Sequence, residues 1–145
     1  MKLMHCDLQH YIKESTSTPK VSTDKVVSIA LGVTRGLKYL HGLTMPVVHR
    51  DISLKNILLT EDGHPKIAGF RVAKVLTDGR EACASLWPGA SSYAAPETYQ
   101  DIKNNKAKYG AKVAIYSFGV TLLATISLQE NPGRRILNFP IGQQG

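Results

Sequence analysis

The chain has only two cysteines in 145 residues, Cys6 and Cys83, and neither belongs to a C-x-x-C pair. Two isolated thiols cannot build a disulfide framework, so they read as packing or surface groups in a reducing, cytoplasmic compartment. Long apolar runs are missing as well. The longest, Val113 to Ile126, contains polar and small residues and falls short of the roughly 20 residues that cross a bilayer. The N-terminus, Met1-Lys2-Leu3-Met4-His5-Cys6-Asp7, lacks the charged-then-apolar pattern of a secretion signal. Histidine and cysteine gather only at His5, Cys6 and His10; without a second such cluster, zinc spacing is not met.

Acidic residues are few. Eleven Asp and Glu face eighteen Lys and Arg, for a net charge of +7. Such a balance can serve nucleic acid, anionic lipid or an acidic partner. The cations are scattered, however, and the densest patch (Lys103, Lys106, Lys108, Lys112) has only Tyr109 among it. Single-strand binding needs a basic groove with stacking aromatics, so this patch reads as solvated surface and no nucleic acid partner is expected. A composition of 43% hydrophobic and 20% charged residues places the chain among folded proteins, and its length suits one domain.

Apart from a linker at Ser15-Thr16-Ser17-Thr18-Pro19 there is no low complexity and no repeat. A short amphipathic opening (Leu3, Leu8, Ile12) precedes the linker. After it, Val26, Ile29 or Ala30, Val33, Leu37 and Leu40 recur at helical spacing,. Ser22 or Thr23 can cap this helix, Asp24 suits its positive end, and Gly42 can end it. Next, Pro46-Val47-Val48 leads into a polar loop. Ile57-Leu58-Leu59 and Lys66-Ile67-Ala68 flank Glu61-Asp62-Gly63-His64, which reads as a β-hairpin. Gly69 to Tyr93 has no lasting periodicity and reads as one long loop. Val113 to Ile126 is apolar nearly all round, as in a helix enclosed by other elements. Only Ile136, Leu137, Phe139 and Ile141 follow to cover it, so the sequence looks cut short.

Four motifs in order carry a resemblance. His49-Arg50-Asp51-Ile52-Ser53-Leu54-Lys55-Asn56 matches the H-R-D-x-x-x-x-N catalytic loop of eukaryotic protein kinases,. Gly69-Phe70-Arg71 stands after the hairpin, at the place of D-F-G. Ala95-Pro96-Glu97 supplies A-P-E, and Tyr116-Ser117-Phe118-Gly119 resembles the central helix of the kinase C-terminal lobe. Lysine four residues after the aspartate looks closest to receptor-like and tyrosine-kinase-like members.

The resemblance implies a mainly α chain with a small β-hairpin. Residues 1–145 would be a partial, truncated kinase C-terminal lobe, running from the helix after the hinge to just past the central helix, with the N-terminal lobe absent. In an active member the residue matching Asp51 accepts the substrate hydroxyl proton. The one matching Asn56 holds magnesium, and Lys55 neutralises charge on the transferred phosphoryl group. Arg50 would grip a phosphorylated activation loop, where Thr77, Ser85, Ser91 and Ser92 are available. The other reading of His49 and Arg50 is packing and backbone hydrogen bonding.

The departures remove chemistry. Gly69 replaces the carboxylate that binds the magnesium bridging the nucleotide phosphates, and Arg71 adds a cation that cannot coordinate metal. Ala114 stands where the family usually has an aspartate anchoring the catalytic loop. Alanine in Gly89-Ala90-Ser91-Ser92-Tyr93 replaces the threonine usual in Ser/Thr members. A Gly-rich loop, the β3 lysine and the αC glutamate are absent. Intact members use Mg-ATP; none is expected in this chain. The leading expectation is an inactive lobe that binds a protein partner through an exposed apolar face. The alternatives are a decayed remnant without a role, and a Ser/Thr or Tyr kinase completed by another chain.

Overall fold

The computed structural model describes residues 4–15, 21–76, 82–84, 91–99 and 107–128. Its elements run β1 (Met4–Asp7), α1 (Leu8–Ser15), α2 (Thr23–His41), β2 (Val47–Val48), β3 (Ile57–Thr60), β4 (Pro65–Ile67), β5 (Lys74–Val75), β6 (Ala82–Ala84), β7 (Ala107–Tyr109) and α3 (Lys112–Ser127). The linker residues 16–19, and Ile136, Leu137, Phe139 and Ile141, lie outside the described residues.

Helix α2 forms where its periodicity predicts. The Ser22 hydroxyl accepts the Lys25 N–H at 3.3 Å, and the Gly42 N–H closes the far end on Lys38 and Tyr39 carbonyls. Ile29, Val33 and Leu37, each four residues apart, form its buried stripe. A neighbouring row, Gly32 and Gly36, lies against β4. A Cβ on Gly32 would overlap the Pro65 ring, and one on Gly36 would fall 2.8 Å from Ile67 Cδ1. Two glycines four apart therefore let the hairpin approach the helix backbone.

The predicted hairpin is present: β3 pairs antiparallel with β4, Ile57 opposite Ile67 and Leu59 opposite Pro65. Its tip is tied to α2, since Lys25 Nζ donates to the Gly63 carbonyl at 2.8 Å. The opening departs from expectation. Its amphipathic stretch divides into strand β1, which adds to β3 with Asp7 opposite Leu58, and helix α1, which buries Leu8 and Ile12.

The reading of residues 69–93 as one long loop is corrected. A 3₁₀ turn at Phe70–Val72 is followed by β5, which pairs with β2. Strand β6 pairs with β7, and a second 3₁₀ turn spans Ser91–Tyr93. Strands of two or three residues are too short to show a period.

One core joins α1, α2, β3 and α3: Leu8, Ile12, Ile29, Val33, Leu37, Ile52, Leu54, Ile57, Leu59, Ala114, Phe118 and Ala124 share it. A smaller cluster of Val48, Leu76, Ala95 and Val113 seats the A-P-E stretch against β2 and α3. Helix α3 is not enclosed as its composition predicts. It buries Ser117, Thr121 and Thr125, while Ile115 and Ile126 are 54% and 64% exposed. The buried hydroxyls are satisfied within the helix: Ser117 donates to Val113 O, Thr121 to Ser117 O and Thr125 to Thr121 O. Back-bonding of this kind lets a polar stripe face a core without orphaned groups.

Candidate functional site

Residues 49–56 leave β2, and residues 68–72 leave β4; the fold lays one against the other. The first segment is pinned by Ile52 and Leu54, each 1% exposed in the core. It ends in a 3₁₀ turn, Leu54–Asn56, with Asn56 N–H donating to Ser53 O at 3.1 Å. The Ala68 N–H then donates to Asn56 O at 2.8 Å, joining the segments.

His49 is fully buried and bridges them. Its Nε2 lies 2.7 Å from the Ala68 carbonyl, and its Nδ1 lies 3.3 Å from the Asp51 N–H. A carbonyl on one side and an N–H on the other fix the neutral tautomer with the proton on Nε2. Burial accordingly pushes the His49 pKa down, against the opposing pulls of the Ala68 carbonyl and Asp51. The Phe70 ring packs edge-on against His49, centroids 4.7 Å apart. Arg50 has φ 63, a left-handed backbone that disfavours a residue with a Cβ. Its Nε donates to Val72 O at 2.6 Å. Both residues thus make the backbone contacts that the plainer of their two sequence readings describes.

Asn56 Nδ2 donates to the Asp51 carbonyl and to Asp51 Oδ2, both at 2.7 Å. Lys55 is exposed beside them. Gly69 faces this pair with φ 79, and a Cβ there would fall 2.6 Å from Asn56 Cγ and closer still to Oδ1. The carboxamide of Asn56 therefore fills the space into which a side chain at 69 would project. Asp51, Asn56 and Gly69 are brought together, with Arg50 and Lys55 next to them in sequence. Thr77 and Ser85 lie outside the described residues, as does the Ser91 side chain; Ser92 is half-buried.

This set lacks the carboxylate that the resemblance assigns to magnesium. Magnesium takes hard oxygen donors in near-octahedral geometry. Position 69 offers no side-chain oxygen; Asn56 bonds Asp51 through Nδ2 alone, so its Oδ1 is the amide oxygen left beside position 69. Ala114 is 1% exposed within the apolar core that holds Ile52 and Leu54, so α3 presents a methyl group where the resemblance places a carboxylate. Among the described residues no group of three or more His, Cys, Asp or Glu could hold a metal.

Sequence reasoning missed the partners Ala68 O, Phe70 and Val72 O, because backbone carbonyls carry no sequence signal. The paired Gly32 and Gly36 did carry one: two glycines four apart inside a helical pattern,.

Buried His49 and half-buried His41 give a pH dependence. Burial also lowers the pKa of His41, whose Nε2 is buried without a hydrogen-bond partner. A histidine whose folded pKa is depressed takes up its proton in the unfolded chain first. The stability it contributes is complete above the unfolded value near 6.5 and is lost as pH falls through the folded one. Urea melts are expected to show stability falling from about pH 7.5 to about pH 5.5, with His41→Leu flattening part of the slope. A stability that rises on acidification would contradict this.

The sequence profile described as Protein kinase domain matches residues 1–135. The receptor-like protein kinase HAIKU2 of Arabidopsis thaliana is 41% identical over 120 residues, 80% of this chain and 11% of that protein. The leucine-rich repeat receptor protein kinase EMS1 of the same plant is 33% identical over 133 residues, 90% of this chain and 11% of its own length. The human serine/threonine-protein kinase TNNI3K is 36% identical over 94 residues, covering 65% of this chain and 11% of that protein. The chain thus spans about a tenth of each of these relatives. No helix among the described residues is long and apolar enough to cross a membrane.

Proposed function

We propose, from the premise that this chain belongs to the protein kinase domain family with relatives on its receptor-like branch, that it does not itself transfer phosphate and acts by binding other proteins. The observation that carries this reading is Gly69. It supplies no carboxylate, and Asn56 occupies the adjoining space while hydrogen-bonded to Asp51.

Phosphoryl transfer relies on positioning and charge stabilisation rather than on covalent chemistry by the protein. Removing one preorganised electrostatic group lowers a rate by about 10²–10³, and losing the metal it holds lowers it further. Asp51 keeps its type and its place beside an exposed Lys55, so proton acceptance from a hydroxyl remains chemically open to it. The group that would hold the nucleotide's metal is what fails. Arg50 already holds the Val72 carbonyl, which supports a structural part for it in shaping the segment that follows position 69. A lobe with this geometry can still present a folded surface to a protein partner.

The second reading, a kinase completed by another chain, is favoured by one observation: Asp51, Lys55 and Asn56 all retain the residue types of the family pattern. One assay separates the two. The chain is incubated with magnesium and γ-labelled ATP, alone and with the kinase upper lobe of a relative, alongside an Asp51→Asn control. Label no greater than the control is expected in both. Transfer above it would establish the enzyme.

A further inference from the structure

A groove of about 670 Å³ runs between the outer face of α2 and β4 and reaches Phe70. We infer that this groove docks an amphipathic, acidic segment of a partner protein. The inference names the surface for the binding role proposed above and rests on that reading.

The apolar part of the groove is exposed where it should not be in a finished domain. Leu31 is 52% exposed, Tyr39 70% and Phe70 45%, and Ile67 and Leu40 lie between them. Leu31 and Tyr39 sit on α2 away from the buried stripe of Ile29, Val33 and Leu37, and Leu40 is a half-buried member of the stripe's own side. Contiguous apolar surface of this kind on a helix and its neighbouring strand marks an interaction site. Gly32 and Gly36 line the groove where the hairpin closes on α2, Pro65 and Ile67 filling the space that a Cβ would take.

Charge decides which partner fits. Arg35 and Lys66 line the groove, with His64 at one end, and no aspartate or glutamate is among its lining residues. Arg35, Lys66 and His64 are all exposed, and neither Arg35 nor Lys66 forms an ion pair with a described residue. The acidic residues of the two elements lie elsewhere, Asp24 in the first turn of α2 and Glu61 and Asp62 in the hairpin turn. Two cations flanking an apolar trough favour a segment that carries carboxylates beside large apolar side chains and disfavour a basic one. An amphipathic helix laid into a groove is the recognition mode that presents both at i, i+3, i+4 and i+7.

The test pans a displayed random-peptide library on the whole chain, with R35E/K66E as the counter-selected variant. Both substitutions are at exposed positions, and circular dichroism checks that the variant keeps its helix content. Enriched peptides are expected to combine Leu, Ile or Phe with Asp or Glu at helical spacing. A synthetic peptide of that sequence should lose about tenfold in affinity or more on R35E/K66E and weaken as salt rises from about 50 to about 300 mM. Tyr39→Ala, which leaves all charges in place, should also weaken it and serves if the double variant fails to fold. Peptides that are basic, peptides that bind R35E/K66E as well as the parent, or no enrichment at all would overturn the inference. So would a concentration-dependent dimer abolished by Leu31→Glu, because the occupant would then be a second copy. Phosphate transfer by the chain would remove the binding-only reading without altering the peptide result, so the two failures are distinguishable.

Discussion

Replacing Gly69 with aspartate, which restores the carboxylate of the D-F-G pattern but leaves Arg71 in place, is expected to lower the melting temperature of the chain rather than rescue it. Two costs add. The backbone at 69 is left-handed, with φ 79 and ψ 38, which disfavours a residue with a Cβ by roughly 1–2 kcal/mol, less for aspartate than for alanine. The new Cβ would also overlap the Asn56 carboxamide, and moving that group breaks hydrogen bonds to Asp51 worth about 1–3 kcal/mol where the partner is charged. The sum, about 2–5 kcal/mol, corresponds to roughly 6–15 °C for a chain of this size. Thermal melts of the parent, Gly69→Asp and Gly69→Ala measure it. Adding Asn56→Ala to Gly69→Asp clears the obstruction, and the double variant should recover about 1 kcal/mol relative to additivity. An unchanged or raised melting temperature for Gly69→Asp would show that the site tolerates its missing carboxylate without rearrangement.

The second large effect separates the two sides of α3. Phe118 is 8% exposed and packs with Ala114, Val120 and Ala124 in the main core, so Phe118→Ala should cost about 3–5 kcal/mol in urea unfolding. Ile126 is 64% exposed, and Ile126→Ala should change stability by less than about 0.5 kcal/mol. Equal, large losses at both positions would mean that the helix is covered all round, as its composition suggests. The contrast matters for function as well. An exposed apolar face on α3 adds to the surface through which the chain could bind a partner.

How far the fold was legible depended on element length. Helix α2 was readable to its caps because nineteen residues give several turns of period, and Ser22 and Gly42 are chemically suited to their ends. The β3–β4 hairpin was readable because two apolar runs bracket a turn sequence. Strands β2 and β5 have two residues each, and no pattern exists at that length. Helix α3 misled in a different way. Its low contrast between faces hid the fact that Ser117, Thr121 and Thr125, not the isoleucines at 115 and 126, face the core. Hydroxyls bonded back to the preceding turn behave there as small packing groups, which a hydropathy pattern counts as polar.

At the site, residue types were legible and their present use was not. The resemblance matches Asp51, Asn56 and Gly69 to family positions, and the fold brings the three residues together. It could not show that Asn56 turns its carboxamide to Asp51 and into the space beside Gly69. Nor could it show that His49 serves as a neutral bridge between two backbone groups. These depend on distances of 2.7–3.3 Å set by the packing of Ile52 and Leu54 beneath the loop.

The proposed loss of the magnesium–nucleotide site is tested most directly by a thermal melt of the purified chain with and without millimolar Mg-ATP, with EDTA and ATP as the comparison. A ligand that binds only the folded state at 100 times its dissociation constant adds about 2.7 kcal/mol, a shift of several degrees. The account predicts a cooperative transition that magnesium and ATP together leave in place. A magnesium-dependent upward shift would contradict it, since a nucleotide site would then survive with glycine at position 69.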